Sequence, residues 1–433
     1  MAVHLAKGTR DFLPEAMHVR NHVLDTVRGV FQTFGFEPLE TPAFERIETL
    51  TGKYGDEGDK LIFKILERGK GAETGQCDQA LRYDLTVPLA RVVAMNPDLR
   101  MPFKRYQTQP VWRADRPQRG RFREFWQCDC DIVGTTSPMA EAECLAVALS
   151  ALDALGFDDA VIRLNDRRIL RSLARAAGAA DQEIGFLVAL DKLDKIGRDK
   201  VSEEFDKLGL DSERIAELWE ALDVPAEHDA ALDTLASRLD MEGEAGVDTL
   251  RAVVEAAGRM GVALDRLSID PTLARGLDYY TGPVFEIALP KGNIGSVGGG
   301  GRYDGLVGMF SKRDVPAVGI ALGIERLIVV MQERGMHAPR QTSADVFVTV
   351  FDEDCAEASM TFAHRLRAAG VRTDLYLGES NLKKQFKYAN ARGYSWLVVI
   401  GPEEQERGEV ALRNLKTGDQ SRLPAGAAIQ QVR

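Results

Sequence analysis

Apolar residues recur along this chain at two spacings, and the spacing separates predicted helices from predicted strands. Apolar side chains every three or four positions over residues 15–34 predict an amphipathic helix, which Gly35 ends. Residues 137–155 predict a second helix, with Ser137 as its N-cap and Pro138 at its first position. Four shorter runs predict strands at residues 36–46, 60–66, 80–86 and 283–289. The first of these strands is interrupted by two prolines.

The most regular alternation covers residues 105–131 and predicts two strands around a short loop. Because side chains alternate between the faces of a strand, one face collects the polar set Arg105, Gln107, Gln109, Val111, Arg113, Arg123, Phe125, Gln127, Asp129 and Asp131. The opposite face carries Trp126, Cys128, Cys130 and Ile132, which suit a core. Buried polar groups need partners, so the polar face predicts a platform for a ligand with phosphate, base and amine groups. An exposed hairpin with scattered charge is the alternative.

The middle and the end of the chain follow different patterns. Residues 166–262 are rich in Ala, Leu, Glu and Asp at helical spacing, which predicts a separate helical unit. A glycine-rich turn is expected at 295–301, followed by a strand and a helix over 315–333. After a linker at 336–344, strands and helices alternate as strand 345–351, helix 354–369, strand 371–377, helix 380–392 and strands 395–400 and 409–415. This alternation predicts a small α/β domain with a largely parallel sheet.

Composition narrows the class of protein. A chain of 433 residues with 45% hydrophobic content has room for two or three domains. No run approaches the roughly 20 apolar residues that cross a bilayer, and the N-terminus has no hydrophobic signal core. Five scattered cysteines argue against a disulfide framework and for a reducing cytoplasm. The pair Cys128 and Cys130 lacks a second cysteine pair or a histidine cluster, so we predict no metal site.

Charge is distributed unevenly. The net charge of −11 does not predict general nucleic-acid binding. Residues 166–262 hold 13 basic and 22 acidic side chains, whereas residues 100–127 hold eight basic and two acidic ones. A polyanionic partner is therefore expected at the basic stretch 100–127 and near Lys383, Lys384 and Lys387.

The sequence contains no P-loop, no G-x-G-x-x-G, no G-x-S-x-G and no H-E-x-x-H motif. Four other short segments carry candidate chemistry. In residues 81–86, the alternation of Arg82, Asp84 and Thr86 places a carboxylate and a hydroxyl on one strand face, where they can hold an ammonium. A surface strand with a salt bridge is the alternative.

The other three segments lie after residue 274. Residues 275–282 combine Arg275, two phenols and two glycines, which suits a polar ligand or a turn with structural tyrosines. The glycine run 298–301 suits a flat backbone under a planar ligand or a flexible loop. In residues 319–327, Arg326 follows an apolar strand, where it can reach a terminal phosphate or form a helix cap or salt bridge.

These segments, in this order, closely resemble the class II aminoacyl-tRNA synthetases, specifically the histidyl-tRNA synthetase family. Residues 15–50 resemble motif 1, residues 105–131 motif 2 and residues 316–330 motif 3. Residues 275–282 and 299–306 resemble the two histidine-specific signatures. The resemblance implies an α+β fold, with a catalytic sheet of six or seven antiparallel strands flanked by helices, a helical insertion and a C-terminal α/β anticodon-binding domain. It places the catalytic domain at 1–165 and 263–335, the insertion at 166–262 and the anticodon-binding domain at 342–433.

The resemblance also implies an activity. It is the ATP-dependent ligation of L-histidine to the 3′ end of tRNA(His) through a histidyl-adenylate, with release of AMP and diphosphate. ATP would be a substrate, Mg²⁺ would share the phosphate charge, and the enzyme would be a cytoplasmic homodimer without a membrane segment. Two alternatives remain from related families. One is a non-catalytic paralogue that regulates ATP phosphoribosyltransferase in histidine biosynthesis, and the other is a synthetase for glycine, proline or threonine.

Site residues follow from motif position. Those implied for histidine are Asp84, Thr86, Gln127, Asp131, Tyr279, Tyr280 and Tyr303. Those implied for ATP are Arg113, Asp115, Arg121, Phe125 and Arg326, those implied for catalysis are Arg113 and Arg275, and those implied for the tRNA acceptor end are Arg116, Gln118 and Arg119.

Each of these residues has an implied role. The histidine amino group would be held by Asp84, Thr86 and Gln127, and the imidazole would be read by Asp131 and Tyr280, with Tyr279 and Tyr303 lining the pocket. The resemblance puts Asp115 near the adenine amino group, Phe125 against the adenine ring, Arg113 and Arg275 at the α-phosphate, and Arg121 and Arg326 at the distal phosphates.

Overall fold

The computed structural model describes residues 3–274, 279–291, 294–336, 342–379 and 381–433. The chain divides into two compact units, one formed by residues 1–10 and 23–336, the other by residues 11–22 and 337–433. Arg275, to which the resemblance assigns a catalytic role, lies outside the described residues.

Helices contain more of the described residues than strands do. In chain order they are α1 (Pro14–Thr33), α2 (Ile47–Leu50), α3 (Gly55–Asp59), α4 (Lys70–Thr74), α5 (Thr86–Met95), α6 (Pro138–Ala154), α7 (Arg167–Ala176), α8 (Glu183–Leu190), α9 (Leu193–Lys207), α10 (Ser212–Leu222), α11 (His228–Ala236), α12 (Met241–Arg259), α13 (Ile324–Glu333), α14 (Ala356–Ala368), α15 (Leu382–Arg392), α16 (Pro402–Arg407) and α17 (Ala425–Val432). Among the described residues, no helix is both long and apolar enough to cross a bilayer.

The strands form three sheets. In chain order they are β1 (Glu37–Pro38), β2 (Phe44–Arg46), β3 (Lys64–Ile65), β4 (Gln79–Leu81), β5 (Phe103–Trp112), β6 (Glu124–Val133), β7 (Val161–Asp166), β8 (Leu267–Ile269), β9 (Pro283–Ala288), β10 (Gly298–Arg302), β11 (Ala317–Gly323), β12 (Val346–Val348), β13 (Thr373–Leu375), β14 (Trp396–Val399), β15 (Glu409–Asn414) and β16 (Gln420–Pro424).

The central sheet of the first unit has eight strands in the order β1-β5-β6-β11-β10-β9-β7-β8. All its pairings are antiparallel except β1 with β5 and β7 with β8, at the two edges. The six strands from β5 to β7 in this order are antiparallel to their neighbours, which confirms the predicted antiparallel sheet, and two short parallel edge strands, which were not predicted, bring the total to eight. The edge strands are short, and β1 pairs through two residues only, so their pattern is too short to predict from sequence.

Helix capping and strand alternation placed the long elements correctly. Helix α6 begins after Ser137, whose Oγ accepts a hydrogen bond from the Met139 amide at 3.3 Å, and Gly35 follows α1 in a left-handed conformation. Strands β5 and β6 pair over ten residues each. The predicted apolar face of β6 is buried in the main core, where Cys128 and Cys130 are fully buried. This packing leaves the other face of the sheet for polar side chains.

The chain from Arg167 to Arg259 folds into six helices, α7 to α12. Helix α7 starts at Asp166, whose side chain accepts a hydrogen bond from the Arg168 amide. The apolar faces of these helices share one core with the central sheet, and the rings of Phe186 and Phe205 stack at 5.0 Å within it. The boundaries of the insertion stay a prediction.

Two local predictions were wrong. The predicted strand at 80–86 ends at Leu81, and Thr86 begins helix α5, because the Asp84 carboxylate accepts a hydrogen bond from the Val87 amide and starts the helix. The predicted turn at 295–301 is in large part strand β10. Its glycines allow β10 to lie close between β9 and β11.

The second unit contains a five-stranded sheet in the order β13-β12-β14-β15-β16. Strand β12 is parallel to β13 and β14, but β14–β15 and β15–β16 are antiparallel. The sheet is therefore mixed, and the expectation of a largely parallel sheet was wrong. The cause is a hairpin between β15 and β16, closed by the Asn414 amide bonding Asp419 and by Gly418 in a left-handed conformation.

Candidate active site

The register of the central sheet places carboxylates beside small residues on its polar face. Residues that pair directly on neighbouring strands lie side by side on one face. Two such rows cross the sheet through Arg105, Asp131, Gly319 and Gly301, and through Gln107, Asp129, Ala321 and Gly299. The small residues of β10 and β11 leave open space next to the carboxylates of β6. The sheet therefore forms the floor of a cleft.

Glycine is required at two positions of this floor. A Cβ atom on Gly319 would lie 2.0 Å from Oδ1 of Asp131, and a Cβ atom on Gly300 would lie 2.0 Å from the backbone oxygen of Gly319. Neither contact is sterically acceptable. The glycine run thus forms a strand packed against its neighbour, which excludes the alternative of a flexible loop.

The cleft is open to solvent on one side and has a volume of about 210 Å³ when the space at its mouth is included. Four of the residues implied for histidine line it, namely Thr86, Asp131, Tyr280 and Tyr303. A fifth polar residue, Asp129, also lines it. Sequence analysis placed Asp129 on the polar face of β6 but gave it no role.

Asp131 is held by two buried partners. Its Oδ2 lies 2.8 Å from Nη2 of Arg105, and both side chains are almost completely buried. The Tyr303 hydroxyl donates a hydrogen bond to Oδ1 at 2.5 Å. Burial raises the pKa of the Asp131 carboxyl, while Arg105 and the Tyr303 hydrogen bond lower it. The carboxylate is therefore fixed in position at the wall of the cleft.

Asp84 is also buried and already has three donors. Tyr54 donates to Oδ1 at 3.0 Å, the Val87 amide donates to Oδ1 at 3.1 Å, and Tyr279 donates to Oδ2 at 3.2 Å. Burial raises the pKa of the Asp84 carboxyl, and the hydrogen bonds and the nearby Arg113 lower it. Tyr54 was missed by sequence analysis, because nothing in its local pattern connects it with a residue 30 positions away.

Arg82 does not share a face with Asp84, contrary to the sequence prediction. Its buried guanidinium donates to the backbone oxygens of Thr41 and Pro110 at 2.6 and 2.9 Å and to Oε1 of Gln109 at 2.8 Å. Burial lowers the pKa of Arg82 to about 10. The residue joins the segment before β2 to strand β5, which is a structural role and differs from the surface salt bridge of the alternative interpretation.

Gln127 lies on the polar face of β6, two residues from Asp129 and paired with Gln109 and Gly323. Its Oε1 is buried and accepts no hydrogen bond within the described part of the chain. The amide thus has an acceptor available on the same face as the cleft.

Arg113 and Phe125 lie together at the end of the β5–β6 pair. The Arg113 Nε donates to the backbone oxygen of Tyr83 at 3.0 Å, and its guanidinium carbon lies 4.3 Å from the Tyr83 ring centroid and 5.1 Å from that of Phe125. Stacking on aromatic faces holds a guanidinium plane while its other N–H groups remain able to donate. The arrangement joins a cation to an aromatic ring that can stack on a base.

Asp115 and Arg121 form an ion pair with each other. Arg121 Nη2 lies 2.7 Å from Oδ1 of Asp115, which is nearly buried, while the arginine side chain is half exposed. Arg326 follows β11 in the first turn of α13, as predicted, and donates to the backbone oxygen of Ser296.

The loop between β5 and β6 turns tightly. The backbones of Gln118 and Arg121 exchange two hydrogen bonds of 3.1 and 2.9 Å, with Gly120 in a left-handed conformation. Arg116 and Gln118 are exposed, and Arg119 pairs with Glu333 of α13. The loop therefore presents polar side chains to solvent from a fixed turn.

The N-terminal segment fixes the other side of this hairpin. The guanidinium carbon of Arg10 lies 3.3 Å from the Phe122 ring centroid, and its Nη2 lies 2.5 Å from Oε2 of Glu325. Oε1 of Glu325 accepts a hydrogen bond from the Trp126 amide at 3.2 Å. No sequence signal predicted this contact, which joins residues 315 positions apart.

Comparison with known proteins agrees with this arrangement. A histidyl-tRNA synthetase family model matches residues 8–327, and an anticodon binding domain model matches residues 345–433. A protein named histidine–tRNA ligase from Cytophaga hutchinsonii is 42% identical and covers 99% of both chains. Another with that name, from Gloeobacter violaceus, is 41% identical and covers 98% of this chain and 97% of its own.

Solved structures give the same result. The crystal structure of a histidyl-tRNA synthetase from Nostoc sp. PCC 7120 superimposes with a TM-score of 0.86 at 32% identity, covering 100% of this chain and 99% of that one. A structure described as an ATP phosphoribosyltransferase regulatory subunit/histidyl-tRNA synthetase from Bacillus halodurans shares the fold, with a TM-score of 0.74 at 22% identity over 90% of this chain and 97% of that one. From its sequence, its fold and its similarity to these relatives, the chain belongs to the histidyl-tRNA synthetase family.

Proposed function

We infer that this protein is a histidine–tRNA ligase, which activates histidine with ATP and transfers it to tRNA(His). The observation that carries this inference is the cleft on the central sheet, whose wall holds the carboxylate of Asp131 in the grip of Arg105 and Tyr303, with Thr86 and Tyr280 also lining it. Relatives that match almost the full chain support it.

The first step joins histidine to AMP. An oxygen of the histidine carboxylate attacks the α-phosphorus of ATP, a new P–O bond forms, and the bond to the diphosphate oxygen breaks. No proton has to move, so positioning and neutralisation of the phosphoryl charge supply the rate. We assign charge neutralisation at the α-phosphate to Arg113, supported by its fixed position beside Phe125, and to Arg275 by resemblance.

Choice of histidine depends on the imidazole. Asp131 can accept a hydrogen bond from one ring nitrogen, and Tyr280 can serve the other, with Tyr279 and Tyr303 lining the pocket. Asp84, Thr86 and Gln127 are assigned to the amino group of histidine, which the available amide oxygen of Gln127 supports. A buried site built for two ring nitrogens rejects amino acids that leave its polar groups unpaired.

ATP binding needs Asp115 and Arg121 to exchange partners. We propose that Arg121 leaves Asp115 for the distal phosphates, which frees the Asp115 carboxylate for the adenine amino group, while Phe125 stacks on the ring. Exposure of the Arg121 side chain supports this exchange, because a half-exposed ion pair contributes only about 0–1 kcal/mol. Arg326 is assigned to the distal phosphates.

The second step transfers histidine to tRNA. The terminal ribose hydroxyl of tRNA attacks the carbonyl carbon of the anhydride. An ester bond forms, the bond from that carbon to the phosphate oxygen breaks, AMP leaves, and the hydroxyl proton is released to solvent. We assign Arg116, Gln118 and Arg119 to the acceptor end, supported by their place on an exposed turn. We assign residues 342–433 to anticodon binding and residues 166–262 to the insertion.

Mg²⁺ is proposed to arrive with the triphosphate. The carboxylates next to the proposed phosphate-binding arginines are those of Asp115 and Glu325, and each already binds an arginine. Mg²⁺ commonly binds substrate phosphates and keeps several waters. We therefore propose that the phosphates of ATP hold the ion, and we assign it no ligand from the protein.

A homodimer in the cytoplasm completes the proposal. The motif 1 resemblance of residues 15–50 supports the dimer, and five free cysteines support a reducing compartment. Sedimentation velocity at micromolar concentration would test the dimer, since a monomer at all concentrations would exclude it.

Histidine-dependent exchange of diphosphate into ATP, measured against all twenty amino acids, tests the function directly. A ligase should give exchange with histidine alone, followed by attachment to tRNA(His). Absence of exchange would instead favour the regulatory paralogue of ATP phosphoribosyltransferase.

A further inference from the structure

Residues 6–9 form a turn that lies against the base of the β5–β6 hairpin. The Thr9 amide donates to the backbone oxygen of Ala6 at 3.1 Å, and Gly8 has a φ of 85°, as the third residue of a type II turn requires. The backbone oxygen of Gly8 accepts a hydrogen bond from the Arg123 amide at 2.9 Å. A Cβ atom on Gly8 would lie 2.8 Å from Cγ of Arg123, so the turn and the hairpin are in direct contact.

Arg10 follows this turn and contacts two elements at once. Its guanidinium carbon lies 3.3 Å from the ring centroid of Phe122 in the hairpin, and its Nη2 lies 2.5 Å from Oε2 of Glu325 in α13. The Glu325 side chain is only 5% exposed. A buried carboxylate requires a charged partner, and the planar guanidinium of Arg10 supplies one while it stacks on the ring.

The two contacts of Arg10 are sequence neighbours of the two arginines assigned to the distal phosphates. Phe122 follows Arg121, and Glu325 precedes Arg326. These arginines belong to different elements, so they can bind one triphosphate only when the hairpin and α13 keep a fixed separation. Because Arg10 binds both elements, it fixes that separation.

Other contacts hold the tip of the hairpin rather than its base. A Cβ atom on Gly120 would lie 3.3 Å from Cγ of Arg326, and Arg119 pairs with Glu333 of α13. Arg10 acts on Phe122, two residues before β6 begins. It therefore constrains the backbone from which Arg121 extends.

Charge gives Arg10 a second effect. Without Arg10, the buried carboxylate of Glu325 would keep a negative charge beside Arg326, where the distal phosphates are proposed to bind. Repulsion between like charges is strong where burial excludes water. The Trp126 amide holds this carboxylate near β6 with a hydrogen bond of 3.2 Å, so the charge cannot simply turn away.

We propose that Arg10 is a positioning residue for ATP, which holds Arg121 and Arg326 at the spacing that the distal phosphates require. This inference rests on the proposed function. Arg10 acts through the two arginines, so its effect is specific for a nucleotide that carries distal phosphates.

The test measures equilibrium binding of Mg²⁺–ATP, AMP and L-histidine, each alone, to the full-length protein by calorimetry. AMP lacks the distal phosphates. The variant Arg10→Gln removes the charge and the planar stack, whereas Arg10→Lys keeps the charge. The control Lys7→Gln removes one positive charge from an exposed position of the same segment.

We expect Arg10→Gln to weaken ATP binding about 10- to 100-fold, the range that a misplacement of up to about 1 Å brings. Binding of AMP and histidine should stay within about threefold, which also shows that the variant is folded. Arg10→Lys should recover part of the loss, and Lys7→Gln should leave all three affinities unchanged.

Unchanged ATP affinity, equal losses for ATP and AMP, or the same loss in Lys7→Gln would overturn the positioning role. Should Arg10→Gln not fold, the same comparison in Arg10→Lys decides, with a loss of about threefold or more expected for ATP and none for AMP. If the unaltered protein binds neither ATP nor histidine, the proposed function itself is rejected, and this inference with it.

Discussion

Gly319→Ala is expected to disable the histidine site through a single methyl group. The new Cβ would lie 2.0 Å from Oδ1 and 2.5 Å from Cγ of Asp131, whereas ordinary van der Waals contact begins near 3.4 Å. The carboxylate must therefore retreat by about 1.4 Å. Gly319 does not have a positive φ, so this contact, and not backbone strain, determines the outcome.

The retreat affects both partners of Asp131. Removing one member of a buried ion pair costs about 3–5 kcal/mol. A displaced Asp131 keeps part of its attraction to Arg105. We therefore expect the free energy of unfolding to fall by about 2 kcal/mol. A misplacement of about 1 Å in a reacting complex costs about 100-fold in rate. We therefore expect kcat/KM for histidine to fall about 100-fold or more.

The assay is histidine-dependent ATP–diphosphate exchange, combined with urea unfolding. Gly305→Ala is the matched control, because a Cβ on this exposed glycine meets no atom within 4 Å. If the Gly319→Ala enzyme has the same KM for histidine as the unaltered protein, the role given to the Asp131 carboxylate is refuted. Equal effects of the two substitutions would refute the steric argument.

Three further predictions concern other parts of the chain. Asp129→Asn should raise the free energy of unfolding at neutral pH, because folding raises the pKa of the Asp129 carboxyl. The contribution of this carboxyl to stability is complete below its pKa in the unfolded chain, about 3.9, and is lost as the pH rises through its pKa in the folded protein. Thermal unfolding from pH 4 to 8 should show the gain growing with pH, and a constant difference would contradict this. Arg275→Ala should lower kcat for exchange by about 100- to 1000-fold without a change in melting temperature, and near-normal exchange would exclude its role. Replacing Lys383, Lys384 and Lys387 with Ala should weaken tRNA binding and reduce its salt dependence while exchange stays constant; an unchanged salt dependence in a filter-binding titration would argue against this contact.

Local sequence patterns were sufficient to predict the longest helices and strands. Ser137 and Pro138 defined the start of α6, and strict alternation placed Cys128 and Asp129 on opposite faces of β6, as the structure has them. Alternation failed at Thr86, because the Asp84 carboxylate accepts a hydrogen bond from the Val87 amide, which ends the strand pattern and begins a helix. It failed again at the glycines of β10, whose composition resembles a loop although their packing requires a strand.

The sequence alone determined the order of the motifs, the polar face of the β5–β6 pair and the family. Only the tertiary structure decided which carboxyl groups are satisfied, because their partners are far away in the chain: Tyr279 is 195 residues from Asp84, and Tyr303 is 172 residues from Asp131. A period of two residues fixes the face of a side chain but not the strand that will pair beside it. The pairing of β6 with β5 and β11 is what leaves Asp129 beside an open cleft without a donor.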